Sequence, residues 1–176
     1  VLSDLARVRS NFQKDAIVLL VEATLNLGDD QGLDELIAQI ERMGRSVTDE
    51  VRYVHGKALF RKRMVDRAER ALSQVSPRSS VYTPARYYIG VIRTQQRDLS
   101  SALQEFNLAV RVEGPSNPSP LGDDEDYGEV RQLARLGIAR IHVENGDIEK
   151  ALESYQSIDR RSDSFEVALY EMAWVM

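Results

Sequence analysis

A regular recurrence of small and large apolar residues constrains this chain more than any other feature. Four pairs of similar residues lie 34 positions apart: Gly56 and Gly90, Ala68 and Ala102, Leu72 and Phe106, Val75 and Ala109. The same order returns in Ala139, Ala151, Tyr155 and Ile158, displaced from the second copy by 49 positions, which is one 34-residue unit and 15 further residues. Small residues let two helix backbones approach, and bulky residues fill the adjoining space. The recurrence therefore predicts helical hairpins that stack on one another.

The rest of the chain also has helical patterning. All five prolines lie between Pro77 and Pro120, and the segments on either side are rich in Ala, Leu, Glu, Arg and Gln, which favour helix. Apolar residues recur there at intervals of three and four, as in the stripe Leu33, Leu36, Ile37, Ile40 and Met43. This spacing is typical of helices with one buried face. The predicted fold class is all-α.

With these positions in register, the chain resembles the tetratricopeptide repeat (TPR) family, in which Leu-Gly, a Tyr-like position, Ala, Phe and Pro recur. The copy from Thr83 carries Ile89-Gly90, Ala102, Phe106, Ala109 and Gly114-Pro115. The copy from Asp49 carries Gly56, Leu59, Ala68 and Leu72, with His55 where the family usually has Leu. The copy from Gln132 carries Ile138-Ala139, Gly146-Asp147, Ala151, Tyr155 and Ile158. The resemblance implies an α-solenoid of stacked antiparallel helical hairpins, a TPR-like superhelix; a compact helical bundle and another helical-hairpin repeat are the alternatives.

The register divides the chain into six expected segments. These are a degenerate N-terminal hairpin over 1–45, TPR-like repeats over 49–82, 83–116 and 132–165, an inserted loop over 117–131, and the first helix of a truncated repeat over 166–176. The loop combines prolines, which cannot continue a helix, with a contiguous acidic run that lacks the alternating ligands of a calcium-binding loop. We interpret it as a surface loop, the alternatives being an acidic hook for a basic partner and, from Glu129 onward, an extension of the following helix. Because Leu169, Met172 and Trp174 have no second helix to cover them, we expect the chain to be part of a longer protein or to associate with itself there.

Composition excludes several classes of protein. The 176 residues include no cysteine, so disulfide frameworks, thiol nucleophiles and sulfur-ligated zinc sites are excluded. The longest apolar run, residues 16–21, is far shorter than the roughly 20 residues that span a bilayer. No targeting segment is visible, so a soluble protein of unassigned compartment is expected. The net charge of −5 argues against a general nucleic-acid binder.

No residue pattern points to catalysis or to a cofactor. Nucleophile elbows, Walker-type loops and dinucleotide-binding glycine patterns are missing from the sequence. His55 and His142 fall where the repeat buries side chains, and neither has a second ligand at i+4, so we interpret both as packing residues with satisfied hydrogen bonds. We predict that the protein is not an enzyme and that it holds neither metal nor cofactor.

One stretch is basic in a chain that is acidic overall. Residues 45–70 contain eight Lys and Arg against four Asp and Glu. The stretch is either a solvated hairpin surface or a docking patch for an acidic or phosphate-bearing partner. A nucleic-acid site here would require salt-sensitive binding that depends on Arg61, Lys62 and Arg63.

The resemblance also implies a binding surface, because in the family's fold the first helix of each hairpin lines the concave side, where peptides or partner helices bind. Carried over by repeat position, the candidate residues are Tyr53, Lys57, Phe60, Arg61, Tyr87, Val91, Thr94, Gln95, Leu136, Arg140, Val143, Glu144, Tyr170 and Trp174. The alternative for each is packing against a neighbouring hairpin. Two functions remain open. The protein is either a scaffold that binds a protein or peptide in the concave groove, or a regulatory or assembly module of a larger enzyme or cell-envelope complex that docks through its apolar ends.

Overall fold

The computed structural model describes residues 2–44, 47–111 and 124–175, and its regular elements in these ranges are all α-helices. The helices are α1 (Leu2–Leu27), α2 (Asp30–Arg42), α3 (Asp49–Arg61), α4 (Val65–Ser73), α5 (Tyr82–Gln95), α6 (Leu99–Arg111), α7 (Asp124–Glu144), α8 (Ile148–Gln156) and α9 (Ser164–Val175). The prediction of an all-α, helical-repeat fold is confirmed. Within these ranges, no helix combines the length and the apolar character needed to cross a membrane. Gly114-Pro115 and residues 117–123 of the predicted loop lie outside the described residues.

The described residues up to Val81 form one compact unit. In it α1 packs on α2 and α3, and α3 packs on α2 and α4. Two side chains set helix starts. Asp29 Oδ1 accepts a hydrogen bond from the backbone N–H of Gly32 (3.0 Å) at the start of α2, and Thr48 Oγ1 accepts one at the start of α3 (3.4 Å). Such caps satisfy N–H groups that have no partner within the helix.

The described residues from Tyr82 onward form a second unit. The hairpins α5–α6 and α7–α8 and the helix α9 follow one another, with α7 in contact with α5, α6 and α9. One buried cluster surrounds Phe106 of α6 and includes Ala134 of α7. A second cluster contains Ala139 and Tyr155, and Ala168 of α9 belongs to it. Each hairpin of this unit is therefore covered by the element that follows it, as the recurrence predicts.

The 34-residue recurrence corresponds to one close contact inside each hairpin. A Cβ atom placed on Gly56 would lie 2.5 Å from Leu72 Cγ, and one placed on Gly90 would lie 2.5 Å from Phe106 Cε1. Both distances are shorter than two carbon atoms tolerate, so the large residue fills the space that a side chain on the glycine would need. The pattern of small and large residues thus marks where two helix backbones approach most closely.

The segment between the second and third copies of the pattern contains less loop than expected. Helix α7 already covers residues 124–131, which are the last eight residues of the segment that we assigned to the inserted loop. Two side chains hold the extra turns in place. Tyr127 is buried, and Glu129 Oε1 accepts hydrogen bonds from the backbone N–H (3.2 Å) and the hydroxyl (2.6 Å) of Ser164. An acidic sequence suits a helix start because negative charge is favoured there, and the loop interpretation overlooked this.

Candidate partner-binding groove

A groove between α5 and α7, the first helices of two consecutive hairpins, is the candidate site. It encloses a cavity of about 300 Å³, and we call it the α5–α7 groove. Its apolar lining consists of Tyr87, Val91, Phe106, Leu133, Leu136, Gly137 and Ile141, and its polar lining of Thr94, Gln95, Arg140 and Glu144. Seven of these residues are ones that repeat position predicted. Val143 does not line the cavity and packs against the Tyr155 cluster instead.

The floor of the groove is the ring of Phe106, which two glycines contact from α5 and α7. A Cβ atom on Gly137 would lie 2.8 Å from Phe106 Cε2, and one on Gly90 would lie 2.5 Å from Phe106 Cε1. The ring of Tyr87 lies beside it, with the two centroids 5.8 Å apart and the planes tilted by 42°. Burial raises the pKa of Tyr87, and the charge of Arg140 offsets part of that rise. The floor is therefore an aromatic surface that carries no charge near neutral pH.

Sequence reasoning missed Gly137. The recurrence compares positions within hairpins, whereas Gly137 contacts the large residue of the preceding hairpin. The one signal available was a glycine inside a predicted helix, which costs about 1 kcal/mol relative to alanine. Such a cost usually has a packing reason, and here the reason is the ring of Phe106.

The polar rim on α7 is tied to α9 by an ion pair. Arg140 Nε lies 3.1 and 3.0 Å from the two carboxylate oxygens of Glu171, and Arg140 Nη2 lies 2.6 Å from Glu171 Oε1. The hydroxyl of Tyr155 donates to the same carboxylate (3.0 Å). Elsewhere on the rim, Glu144 pairs with Arg97. The groove therefore presents paired charges at its rim.

The pKa values of this network follow from burial and hydrogen bonding. The hydrogen bond with Glu171 raises the pKa of Arg140. Burial and, after it, the hydrogen bond to Glu171 raise the pKa of Tyr155 to about 12. Burial by itself acts to raise the pKa of Glu171, but hydrogen bonds from Arg140 and Tyr155 outweigh it, so the pKa lies below its ordinary value. Near neutral pH the pair is fully ionised and the phenol stays protonated.

The predicted residues of the first unit are engaged within that unit. Lys57 Nζ lies 2.7 Å from both carboxylate oxygens of Glu22 on α1 and 5.3 Å from the ring centroid of Tyr53. Tyr53 is buried and Phe60 is half-buried. Arg61 is exposed, with Nε 3.6 Å from Asp30 Oδ1. Lys57 thus pairs with α1 and Arg61 with α2, and a partner would find little of Tyr53 and Lys57 exposed.

The predicted residues of α9 lie at the surface. Tyr170 is 65% exposed and Trp174 is 76% exposed. Their rings meet edge to face, with centroids 6.1 Å apart. Neither residue lines the α5–α7 groove. They form a separate exposed aromatic pair.

The two histidines are largely buried but do not have satisfied hydrogen bonds. Among the described residues, neither Nε2 of His55 nor Nδ1 of His142 has a hydrogen-bond partner. The nearest carboxylates, of Glu41 and Asp147, lie at 3.8 and 3.7 Å, beyond hydrogen-bond distance. We expected both histidines to pack in the interior and to have satisfied hydrogen bonds. The expectation about their hydrogen bonds is wrong. The described part of the chain contains no group of three metal-ligating side chains arranged around a common point.

The comparison with known protein families bears on the middle of the chain. The family model of the tetratricopeptide repeat matches residues 53–118. That segment covers most of α3 and all of α4, α5 and α6, and it contains the two copies of the pattern that lie 34 positions apart. No curated protein matches the chain. With paired helices in that register and glycines at the close contacts, the segment over residues 53–118 is similar to the tetratricopeptide repeat family.

Proposed function

We propose that this chain is a non-enzymatic interaction protein that holds a peptide or helix of a partner protein in the α5–α7 groove. Tetratricopeptide repeats generally mediate protein–protein interaction. The observation that carries the proposal is the convergence of the predicted residues Tyr87, Val91, Gln95 and Arg140 on one cavity. These residues belong to two different repeats, and only the packing of α5 on α7 brings them together.

The chemistry of the groove suits one or two apolar side chains of a partner. Its volume of about 300 Å³ lies at the lower end of the range of small-molecule pockets. The aromatic floor offers contact area at low cost in conformational entropy. Thr94, Gln95 and the paired charges at the rim can hydrogen-bond the polar atoms on either side of an inserted residue. This is the arrangement by which an amphipathic segment anchors in a groove.

A matched pair of substitutions tests the proposal. Gln95 is exposed and lines the cavity, whereas its neighbour Gln96 is exposed and does not. We expect Gln95→Trp to obstruct the groove and to lower capture of partner proteins from the native cell extract about tenfold. Gln96→Trp adds the same side chain outside the groove and serves as the control. With both variants folded by circular dichroism, equal capture by the two would refute the groove assignment.

A second candidate function rests on α9. Four large apolar or aromatic residues of this helix are exposed: Val167, Leu169, Tyr170 and Trp174. Exposed apolar surface of this kind marks a candidate interaction site. Under this proposal the chain is a regulatory or assembly module that docks through α9, either to a larger complex or to a second copy. Light scattering tests the association with a second copy. Self-association that Trp174→Glu abolishes favours docking through α9, and a monomer at all concentrations removes self-association.

A further inference from the structure

The first unit contains a larger cavity with a basic lining. It measures about 660 Å³ and lies among α2, α3 and α4. Four of its lining residues carry basic groups: Arg52 and His55 on α3, and Arg67 and Arg70 on α4. The only acidic residue among the lining residues is Glu41 of α2. With three arginines facing one carboxylate, the lining has an excess of positive charge.

The basic groups of this cavity are unevenly paired. Arg52 Nη1 bonds Asp49 Oδ1 (2.6 Å), and Arg67 bonds Glu41. Arg70 is exposed and pairs with no acid among the described residues. Arg52 Nε is a buried donor that finds no acceptor in the part of the chain that the structure describes, and His55 Nε2 is a buried nitrogen that has no hydrogen-bond partner there. Buried polar groups without partners are costly and usually have a reason.

Glu41 shows where an anion sits in this cavity. Its Oε1 bonds Arg67 and lies 3.8 Å from His55 Nε2. Its side chain is 45% exposed, so it can rotate away from the cavity without unfolding α2. The carboxylate thus occupies a position beside two basic side chains, those of Arg67 and His55, that an external anion would compete for.

We propose that this cavity binds a phosphate monoester carried by a peptide, such as phosphoserine or phosphothreonine, which displaces the carboxylate of Glu41. A phosphate monoester carries −1.5 to −2 charges near neutral pH and has three acceptor oxygens. It can therefore engage Arg67 and Arg70 together and still offer an oxygen to Arg52 or His55 after a small side-chain adjustment. A carboxylate has one charge and two oxygens in a plane, and Glu41 already places one carboxylate in the cavity. The inference stands on the first unit alone and does not depend on the α5–α7 groove.

Three variants give the proposal a specific signature. Glu41→Gln removes the internal competitor and one opposing charge, so binding of a phosphoserine tripeptide should tighten about three- to tenfold. Arg70→Gln removes the unpaired cation and should weaken binding about fivefold or more. Arg63→Gln is the control, because Arg63 is exposed on the same hairpin, carries the same charge and does not line the cavity. It should leave binding unchanged within about twofold.

The experiment is a nuclear magnetic resonance titration of the folded chain at constant ionic strength. The probes are Gly-phosphoserine-Gly, Gly-Glu-Gly and inorganic phosphate, and the readout is the set of shifts in the amides around His55 and Arg70. We expect the phosphopeptide to bind more tightly than inorganic phosphate, and Gly-Glu-Gly to bind most weakly. Absence of shifts, equal affinity for the glutamate peptide, or an equal loss in Arg63→Gln and Arg70→Gln would overturn the proposal. So would weaker phosphopeptide binding by Glu41→Gln, since the displaced carboxylate is central to it.

Discussion

At the scale of single residues, the ring of Phe106 and the glycines beside it decide how closely three helices approach. Gly90 and Gly137 contact the ring from α5 and α7. The ring in turn forms the floor of the α5–α7 groove. Groove shape and hairpin stability therefore depend on the same few atoms.

Gly90→Ala tests this packing. Alanine favours helix over glycine by about 1 kcal/mol, but its Cβ would lie 2.5 Å from Phe106 Cε1, and overpacking of this kind costs about 1–3 kcal/mol. We expect a net loss in the free energy of unfolding, measured by urea denaturation. Gly128→Ala is the control, because nothing lies within 4 Å of a Cβ there, and it should stabilise the protein by up to about 1 kcal/mol. A stabilising Gly90→Ala would contradict the account.

His55 gives a residue-scale prediction for pH dependence. Burial lowers its pKa, Glu41 opposes that effect and Arg67 adds to it. The unfolded state, with a pKa of about 6.5, therefore binds more protons than the folded state as pH falls through that value. The contribution of His55 to stability is present above about pH 6.5 and is lost as pH falls below it. We expect Glu41→Gln to lower the pKa of His55 further and Arg67→Gln to raise it, as followed by the imidazole resonances. Shifts of the pKa in the opposite directions would show that groups other than Glu41 and Arg67 set the pKa of His55.

At the scale of elements, α9 is attached to its unit by polar contacts as well as by the Tyr155 cluster. Glu129 of α7 accepts hydrogen bonds from the backbone and the hydroxyl of Ser164 at the first residue of α9. Arg140 of α7 pairs with Glu171 further along α9. Sequence reasoning found α9 and its apolar residues but not these attachments, because they join residues that lie about 30 positions apart and follow no repeat spacing.

Glu129→Ala should loosen α9 selectively. It leaves the hydroxyl of the buried Ser164 without its acceptor, and the loss of a hydrogen bond to a charged group costs about 1.5–3 kcal/mol. We expect amide hydrogen exchange in α9 to accelerate about tenfold or more while the amides of α7 and α8 keep their protection. Glu166→Ala removes an exposed acid from the first turn of α9 and should have a much smaller effect. Equal acceleration in both variants would show that Glu129 does not hold this helix.

At the scale of the whole chain, the hairpins and their register were predictable, and their grouping was not. The 34-residue recurrence reports contacts within a hairpin, such as Gly56 with Leu72, because those residues stay at a constant separation in sequence. Contacts between hairpins have no constant separation, since an insertion precedes α7. For that reason the role of Gly137, the start of α7 and the division into two units after Val81 emerged only from the structure. The candidate binding residues also differ in their outcome. Those on α5 and α7 line one groove, whereas Lys57 of α3 is paired with Glu22.

The most direct test of the central claim is site-specific photo-crosslinking in the native cell extract. A photo-reactive amino acid replaces Gln95, which lines the α5–α7 groove, or Gln96, which lies next to it outside the lining. The account predicts that position 95 crosslinks to a discrete protein partner and that position 96 does so at least about tenfold less. Equal crosslinking from both positions, or a partner captured from position 96 alone, would contradict it.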